Sequence, residues 1–276
     1  MTRAADHPFR PVAAAPVGFF DSGVGGLSVL LDARRLLPQE DMVYFADSAH
    51  CPYGGRSRDF VRGRALAISR FLLRRRAKAI VVACNSASEA ALEFLRQTFP
   101  GLEIVGIEPA VKVAQRLSRN RRIGVLGTAL TLGGRRFSRL LENFSAGLEV
   151  YTQPVAGLVE AIEAGRAGDG RTRDVIRRSL RPLLDKGIDT LVLGCTHYPL
   201  VAGAIAEECG PGIAVIDTGE PVARQLQRRL KAAGLLRGGQ RRGRLDCFTS
   251  GPLREVAPVV CAIMADPRLP VARARI

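Results

Sequence analysis

No apolar run in this chain approaches the ~20 residues that cross a bilayer, and Met1 to Pro16 lacks the charged-then-apolar order of a secretory signal. A membrane role is therefore not expected, and the cytoplasm is the expected location. None of the six cysteines (Cys51, Cys84, Cys195, Cys209, Cys247 and Cys261) forms a CxxC pair. That argues against a structural metal site and against a disulfide framework, leaving each as a core residue or a reactive thiol. Lysine is scarce, at 4 of the 41 basic residues, and none stands in a Schiff-base context. The GK[ST] ending of a phosphate loop and the GxGxxG dinucleotide fingerprint are also missing. Neither a cofactor nor a metal is expected. The net charge of +15 comes with no helix-turn-helix, RNP motif or aromatic-basic interleaving, so a nucleic-acid partner is not expected. Such a surface would still draw in an anionic small molecule.

What is present is a regular alternation. Short β-branched runs at 17–20, 42–46, 79–84, 103–107, 122–127, 148–152, 190–194, 214–217 and 245–249 are separated by helical stretches. This predicts an α/β fold of parallel sheets. Val61, Ala65, Ile68 and Leu72 form one apolar stripe at helical spacing, with Ser57 placed to cap it. Ser86 to Glu89 reads as a capping box opening a second helix, which carries Leu92, Leu95 and Phe99 on one face.

AIVVACNS at 79–86 and TLVLGCT at 190–196 share an order: buried strand, cysteine, small polar residue, helix. The cysteines lie 111 positions apart. Two similar parallel-sheet α/β domains related by pseudo-two-fold symmetry would set them across a shared cleft. The predicted division is 1–15 as a flexible N-terminal extension, 16–108 with 218–265 as the first domain, 109–217 as the second, and 266–276 as a loose tail. Arg237 to Gly243 reads as an exposed connection.

Cysteine where a strand meets a helix N-terminus faces unpaired N–H groups that favour the thiolate. In open α/β sheets this is also where ligands bind. Cys84 and Cys195 both qualify. Asp21 and Ser22 follow an apolar strand in GFFDSGVGGL, where glycines allow close backbone approach; Asp21 could position an ammonium group or assist a thiol. His197 stands two residues after Cys195 and can trade charge with a thiol near pH 7.

These segments make an ordered series that resembles the glutamate racemases. It comprises FDSGVGG (20–26), YFADSAHCPYGGRS (44–57), ACNSAS (83–88), GIEPA (106–110), IGVLGTALT (123–131), LGCTHYPL (193–200) and IDTGEPVA (216–223). The resemblance spans about residues 17 to 250. It implies cofactor-independent racemisation of L-glutamate to D-glutamate for peptidoglycan synthesis, with the active site between the two domains. By the same resemblance Cys84 and Cys195 are the two acid/base groups. Asp21, Ser22, Tyr53, Gly54, Asn85, Ser86, Thr128, Thr131, Thr196 and His197 contact glutamate or assist the thiols. Glu160, in PVAGLVEAI, is the acid expected to partner His197, and a homodimer is the assembly such relatives often form. The chain departs from the family pattern at Ser86, where a threonine is usual, and at YTQP (151–154), where a cysteine is common. Cys51 is a third thiol near the cleft and a point of oxidative sensitivity. Three rival readings remain: racemisation of another acidic amino acid such as aspartate, a binding protein using its basic surface, and a cysteine hydrolase using one thiol.

Overall fold

The computed structural model describes residues 11–276, so residues 1–10 of the predicted extension lie outside the described part. In chain order the elements are β1 (Val17–Asp21), α1 (Leu27–Leu36), β2 (Met42–Ala46), α2 (Arg58–Arg74), β3 (Ala79–Val82), α3 (Asn85–Thr98), β4 (Glu103–Gly106), α4 (Val111–Leu117), β5 (Arg122–Gly127), α5 (Ala129–Leu132) and α6 (Arg135–Phe144). They continue with β6 (Glu149–Pro154), α7 (Leu158–Glu163), α8 (Gly170–Leu184), β7 (Thr190–Gly194), α9 (Ala202–Cys209), β8 (Ala214–Ile216), α10 (Gly219–Ala232), β9 (Leu245–Thr249), α11 (Leu253–Met264) and β10 (Val271–Arg273). Among the described residues no helix is long and apolar enough to cross a membrane.

The strands form two sheets, ordered β10-β9-β2-β1-β3-β4 and β6-β5-β7-β8. Every pairing is parallel. The fold is therefore α/β, as the alternation predicted. β1, β2, β3 and β7 are buried along their whole length, as strands covered on both faces must be. In each sheet the chain steps outward first (β1 to β2, β5 to β6) and then crosses to the other side (β3, β7). These reversals are topological switch points, where loops diverge and leave a crevice beyond the strand ends. Asp21 ends β1; Cys84 lies just beyond β3, Thr128 follows β5 and Cys195 follows β7.

The helices cover these sheets by the expected stripes. Val61, Ala65, Ile68 and Leu72 of α2 are all buried, and the Ser57 side chain caps the helix by accepting from the Phe60 N–H at 3.2 Å. The capping box predicted at Ser86 does not form. The N-cap of α3 is Cys84 itself, whose sulfur accepts from the Ala87 N–H at 3.4 Å. Glu89, itself buried, instead accepts from Arg58 and from the Arg136 N–H.

Two boundary expectations need correction. The 266–276 segment is not a loose tail, because Val271–Arg273 pairs with β9 as an edge strand. Within the predicted extension, the Ala13 carbonyl accepts from Lys78 Nζ at 2.6 Å and Ala15 is buried, so the chain is anchored from Ala13 onward. Lys78 is also ion-paired with Glu40 at 2.6 Å, both fully enclosed. The 237–243 connection is largely exposed, as expected, and is held at two points: Arg237 and Arg241 both pair with Asp41.

Candidate active site

A narrow cavity opens between the two switch points. Ser22, Tyr53, Gly54, Cys84, Asn85 and Ser86 line it from the first sheet's loops, and Thr128, Cys195, Thr196 and His197 from the second's. All ten were singled out from the sequence. Both thiols are buried, at 5% exposure for Cys84 and 6% for Cys195.

Each thiol begins a short relay that ends on a carboxylate. Cys84 Sγ donates to Ser22 Oγ at 3.8 Å, and Ser22 Oγ donates to Asp21 Oδ1 at 3.3 Å. Asp21 also accepts from the Gly23 N–H and from Thr196 Oγ1, both at 2.8 Å, so it ties the first loop to the second cysteine's loop. On the other side Cys195 Sγ lies 3.8 Å from His197 Nδ1, and His197 Nε2 is 2.6 Å from Glu163 Oε1.

The acid behind His197 is therefore Glu163, not Glu160. Both belong to α7, but the last turn of that helix aims Glu163 at the histidine while Glu160 is exposed. A glutamate three residues further along the same helix was missed because position 160 fitted the motif. The helix face that carries the buried Val159 and Ile162 was the available sign of which glutamate points inward.

Glycines 23 and 25 have a more specific reason than turn formation. A Cβ on Gly25 would stand 2.3 Å from His197 Nδ1, and one on Gly23 would stand 1.9 Å from Glu163 Oε1. The Gly-rich loop lies flat against the His–Glu pair, and the Val24 N–H donates to Glu163 Oε1 at 2.6 Å.

Electrostatics follow from this enclosure. Burial lifts the Asp21 pKa from 3.8 to about 6, even though the His197 charge and the bonds from Gly23 and Thr196 pull it down. Burial, reinforced by the Asp21 charge, pushes the Cys84 thiol far above the ordinary range despite the Ala87 N–H. The sequence expectation that a helix N-terminus would favour the Cys84 thiolate is thus outweighed by desolvation in this state. For His197 burial opposes the charge, but bonds to Cys195, Cys51 and Glu163 outweigh it and hold the imidazole well above its usual pKa.

The remaining predicted contacts fall into place as two groups. Ser86 Oγ, Thr128 Oγ1 and Thr131 Oγ1 form a hydroxyl cluster, with separations of 2.9, 3.0 and 3.5 Å. Ser86 thus has a hydroxyl partner in each of the two threonines. Tyr53 donates to Asp47 Oδ2 at 2.5 Å, and Arg64 grips the same carboxylate at 2.8 and 2.9 Å, which fixes the Pro52–Gly54 turn over the cavity. Asn85 is different. Its amide nitrogen and oxygen are both buried and find no partner within the protein. A buried amide with neither group satisfied is costly, and it is understandable where a polar ligand completes it.

Comparison with known proteins agrees with this arrangement. The family model for Asp/Glu/hydantoin racemases matches residues 29–226. A glutamate racemase of Pseudomonas paraeruginosa is 53% identical over 227 residues, covering 82% of this chain and 86% of that one. Among solved structures, a glutamate racemase isoform of Bacillus anthracis superposes with a TM-score of 0.87 at 30% identity, covering 95% of this chain and 98% of that one. The Escherichia coli glutamate racemase, solved with L-glutamate and the activator UDP-MurNAc-ala, gives 0.82 at 31% identity, covering 94% and 97%.

Proposed function

This chain belongs to the Asp/Glu/hydantoin racemase family, and on that premise we propose that it interconverts L- and D-glutamate without a cofactor, through a two-base reaction of Cys84 and Cys195. Its product would serve peptidoglycan synthesis in the cytoplasm, a compartment that keeps thiols reduced. The observation that carries the reading is the matched placement of the two thiols. Each follows the strand beyond its sheet's switch point, and both line one cavity.

Racemisation removes the α-proton from one face of Cα and returns a proton to the other, which a single fixed base cannot do. One cysteine acts as thiolate and takes the α-proton, becoming a thiol. The electron pair left on Cα delocalises into the carboxylate. The opposite thiol then gives its proton to the other face and becomes the thiolate. The reverse reaction exchanges these roles, so the two thiols titrate as a pair.

The two relays give each thiol a place to exchange charge. Cys84 reaches Asp21 through Ser22, and Cys195 reaches Glu163 through His197. The ammonium of glutamate beside Asp21 and Ser22 would draw the Cys84 thiol toward ionisation, because a nearby cation favours the thiolate. The unpartnered Asn85 amide, with the Ser86, Thr128 and Thr131 hydroxyls, is suited to hold a carboxylate against developing charge.

The Cys195–His197–Glu163 chain is also the order of groups in a cysteine hydrolase. Such an enzyme has no use for Cys84 in the same cavity, and this difference separates the two readings. Purified protein in reducing, cofactor-free buffer should erase the optical rotation of L-glutamate, and do so faster than that of L-aspartate. Activity on aspartate alone would keep the chemistry and change the substrate. Hydrolysis of activated esters by the Cys84→Ala variant, with no racemisation by the parent, would replace the proposal.

A further inference from the structure

At the outer wall of the cavity one donor atom each of Cys51, Glu163 and His197 converge to within 4.8 Å of one another. They come from three separate parts of the chain: the turn after β2, the end of α7 and the loop after β7. No sequence motif joins them, so a metal site was not legible from residue spacing. A thiolate, an imidazole and a carboxylate are the donors that suit zinc. Tetrahedral bonds of about 2.0–2.3 Å place ligand atoms about 3.3–3.8 Å apart, so only modest convergence is needed. Three protein ligands with an open fourth position is also the arrangement of accessible rather than purely structural zinc sites.

Access is provided from outside the cysteine cavity. Cys51 and Glu163 line a separate open cleft of about 750 Å³, bounded further by Ser48, Pro252, Val256 and Val259. An ion could arrive by this cleft without passing Cys84 or Cys195, and water there would fill the fourth position.

We propose that Cys51, Glu163 and His197 bind a zinc-class divalent cation. On binding, the Cys51 thiol releases its proton to solvent as the sulfur–metal bond forms. His197 binds through a nitrogen that has given up its proton, and Glu163 contributes a carboxylate oxygen, so proton release accompanies binding. The ion takes the place of the His197–Glu163 hydrogen bond. If the racemase reading holds, this uncouples His197 from its acid and stops turnover; that consequence rests on the reading, whereas the binding itself does not.

The test is direct titration of the full chain with Zn²⁺ under thiol-free reducing conditions, together with Co²⁺ as a spectroscopic probe. The parent should bind one equivalent with release of protons, and Co²⁺ should give a thiolate-to-metal charge-transfer band. Cys51→Ser should lose that band and weaken Zn²⁺ binding at least about tenfold, and Glu163→Gln should weaken it as well. Cys195→Ala should keep both band and affinity. Circular dichroism of each variant checks folding. Unchanged Zn²⁺ affinity in both Cys51→Ser and Glu163→Gln, or loss of the band in Cys195→Ala instead, would overturn the assignment. In racemisation assays Zn²⁺ should inhibit the parent reversibly, with relief by EDTA. A parent that binds Zn²⁺ through Cys51 but never racemises glutamate would keep the metal site and remove the racemase reading.

Discussion

Asp21 is fully enclosed, and burial raises its pKa to about 6 against an ordinary 3.8. A raised carboxyl pKa favours folding fully below the unfolded value and loses that contribution as pH rises through the folded one. Above pH 6 the ionised Asp21 therefore costs about 3 kcal/mol relative to a group free in water. Asp21→Asn should raise the melting temperature at neutral pH, with the gain shrinking as pH falls through 6 toward 4, while racemisation drops sharply. A gain in stability that is the same at both pH values would contradict the assignment. Glu163 makes the complementary prediction. Glu163→Gln removes the charge behind His197, so its imidazole pKa, followed by NMR, should fall, and kcat should drop by about 10²-fold. Glu160→Gln, on the exposed side of the same helix, should leave both unchanged. The choice between these two glutamates was not legible from motif position, since it depends on how α7 is rotated against α8 and the segment after β7. The placement of Cys84, Cys195 and His197 at one cavity, with Asp21 behind Ser22, was legible, because strand-end residues at a switch point are marked by the strand that precedes them.

At the level of elements, the Gly-rich loop between β1 and α1 shows why small residues recur beside the chemistry. Gly25 leaves room for the His197 ring, and a methyl group there would meet Nδ1 at 2.3 Å. Gly25→Ala should cost about 1–3 kcal/mol by overpacking, seen in thermal unfolding, and should lower kcat by displacing His197. The strand runs were readable from β-branched composition; β2, β5, β7 and β9 have the predicted limits. What was not readable is local chemistry at the joints. Cys84 displaces Ser86 as the cap of α3 because its sulfur lies nearest the Ala87 N–H, and Glu89 is drawn off by Arg58 and the Arg136 N–H. β10 escaped notice because a three-residue strand at a sheet edge carries too little pattern to stand out from a tail.

Across the whole molecule, the two parallel sheets repeat one arrangement, and the loops at their switch points meet at a single cavity. The large arginine content is partly explained by this assembly. Arg64 holds Asp47 beneath the Tyr53 turn, Arg58 reaches Glu89, and Arg237 and Arg241 hold Asp41. The basic composition that left a binding role open from the sequence therefore includes Arg64, which fastens the Tyr53 turn over the site, while Arg237 and Arg241 clamp the opposite, amino end of β2. The central claim is that two opposed thiols share one Cα, and α-proton exchange in D₂O tests it most directly. L-Glutamate would be incubated in reducing D₂O buffer with the parent, with Cys84→Ala and with Cys195→Ala, and deuterium at Cα would be read by NMR alongside the enantiomer ratio. The account predicts that the parent yields D-glutamate carrying α-deuterium and that neither variant racemises, although both remain folded. Full racemisation by either single variant would contradict it.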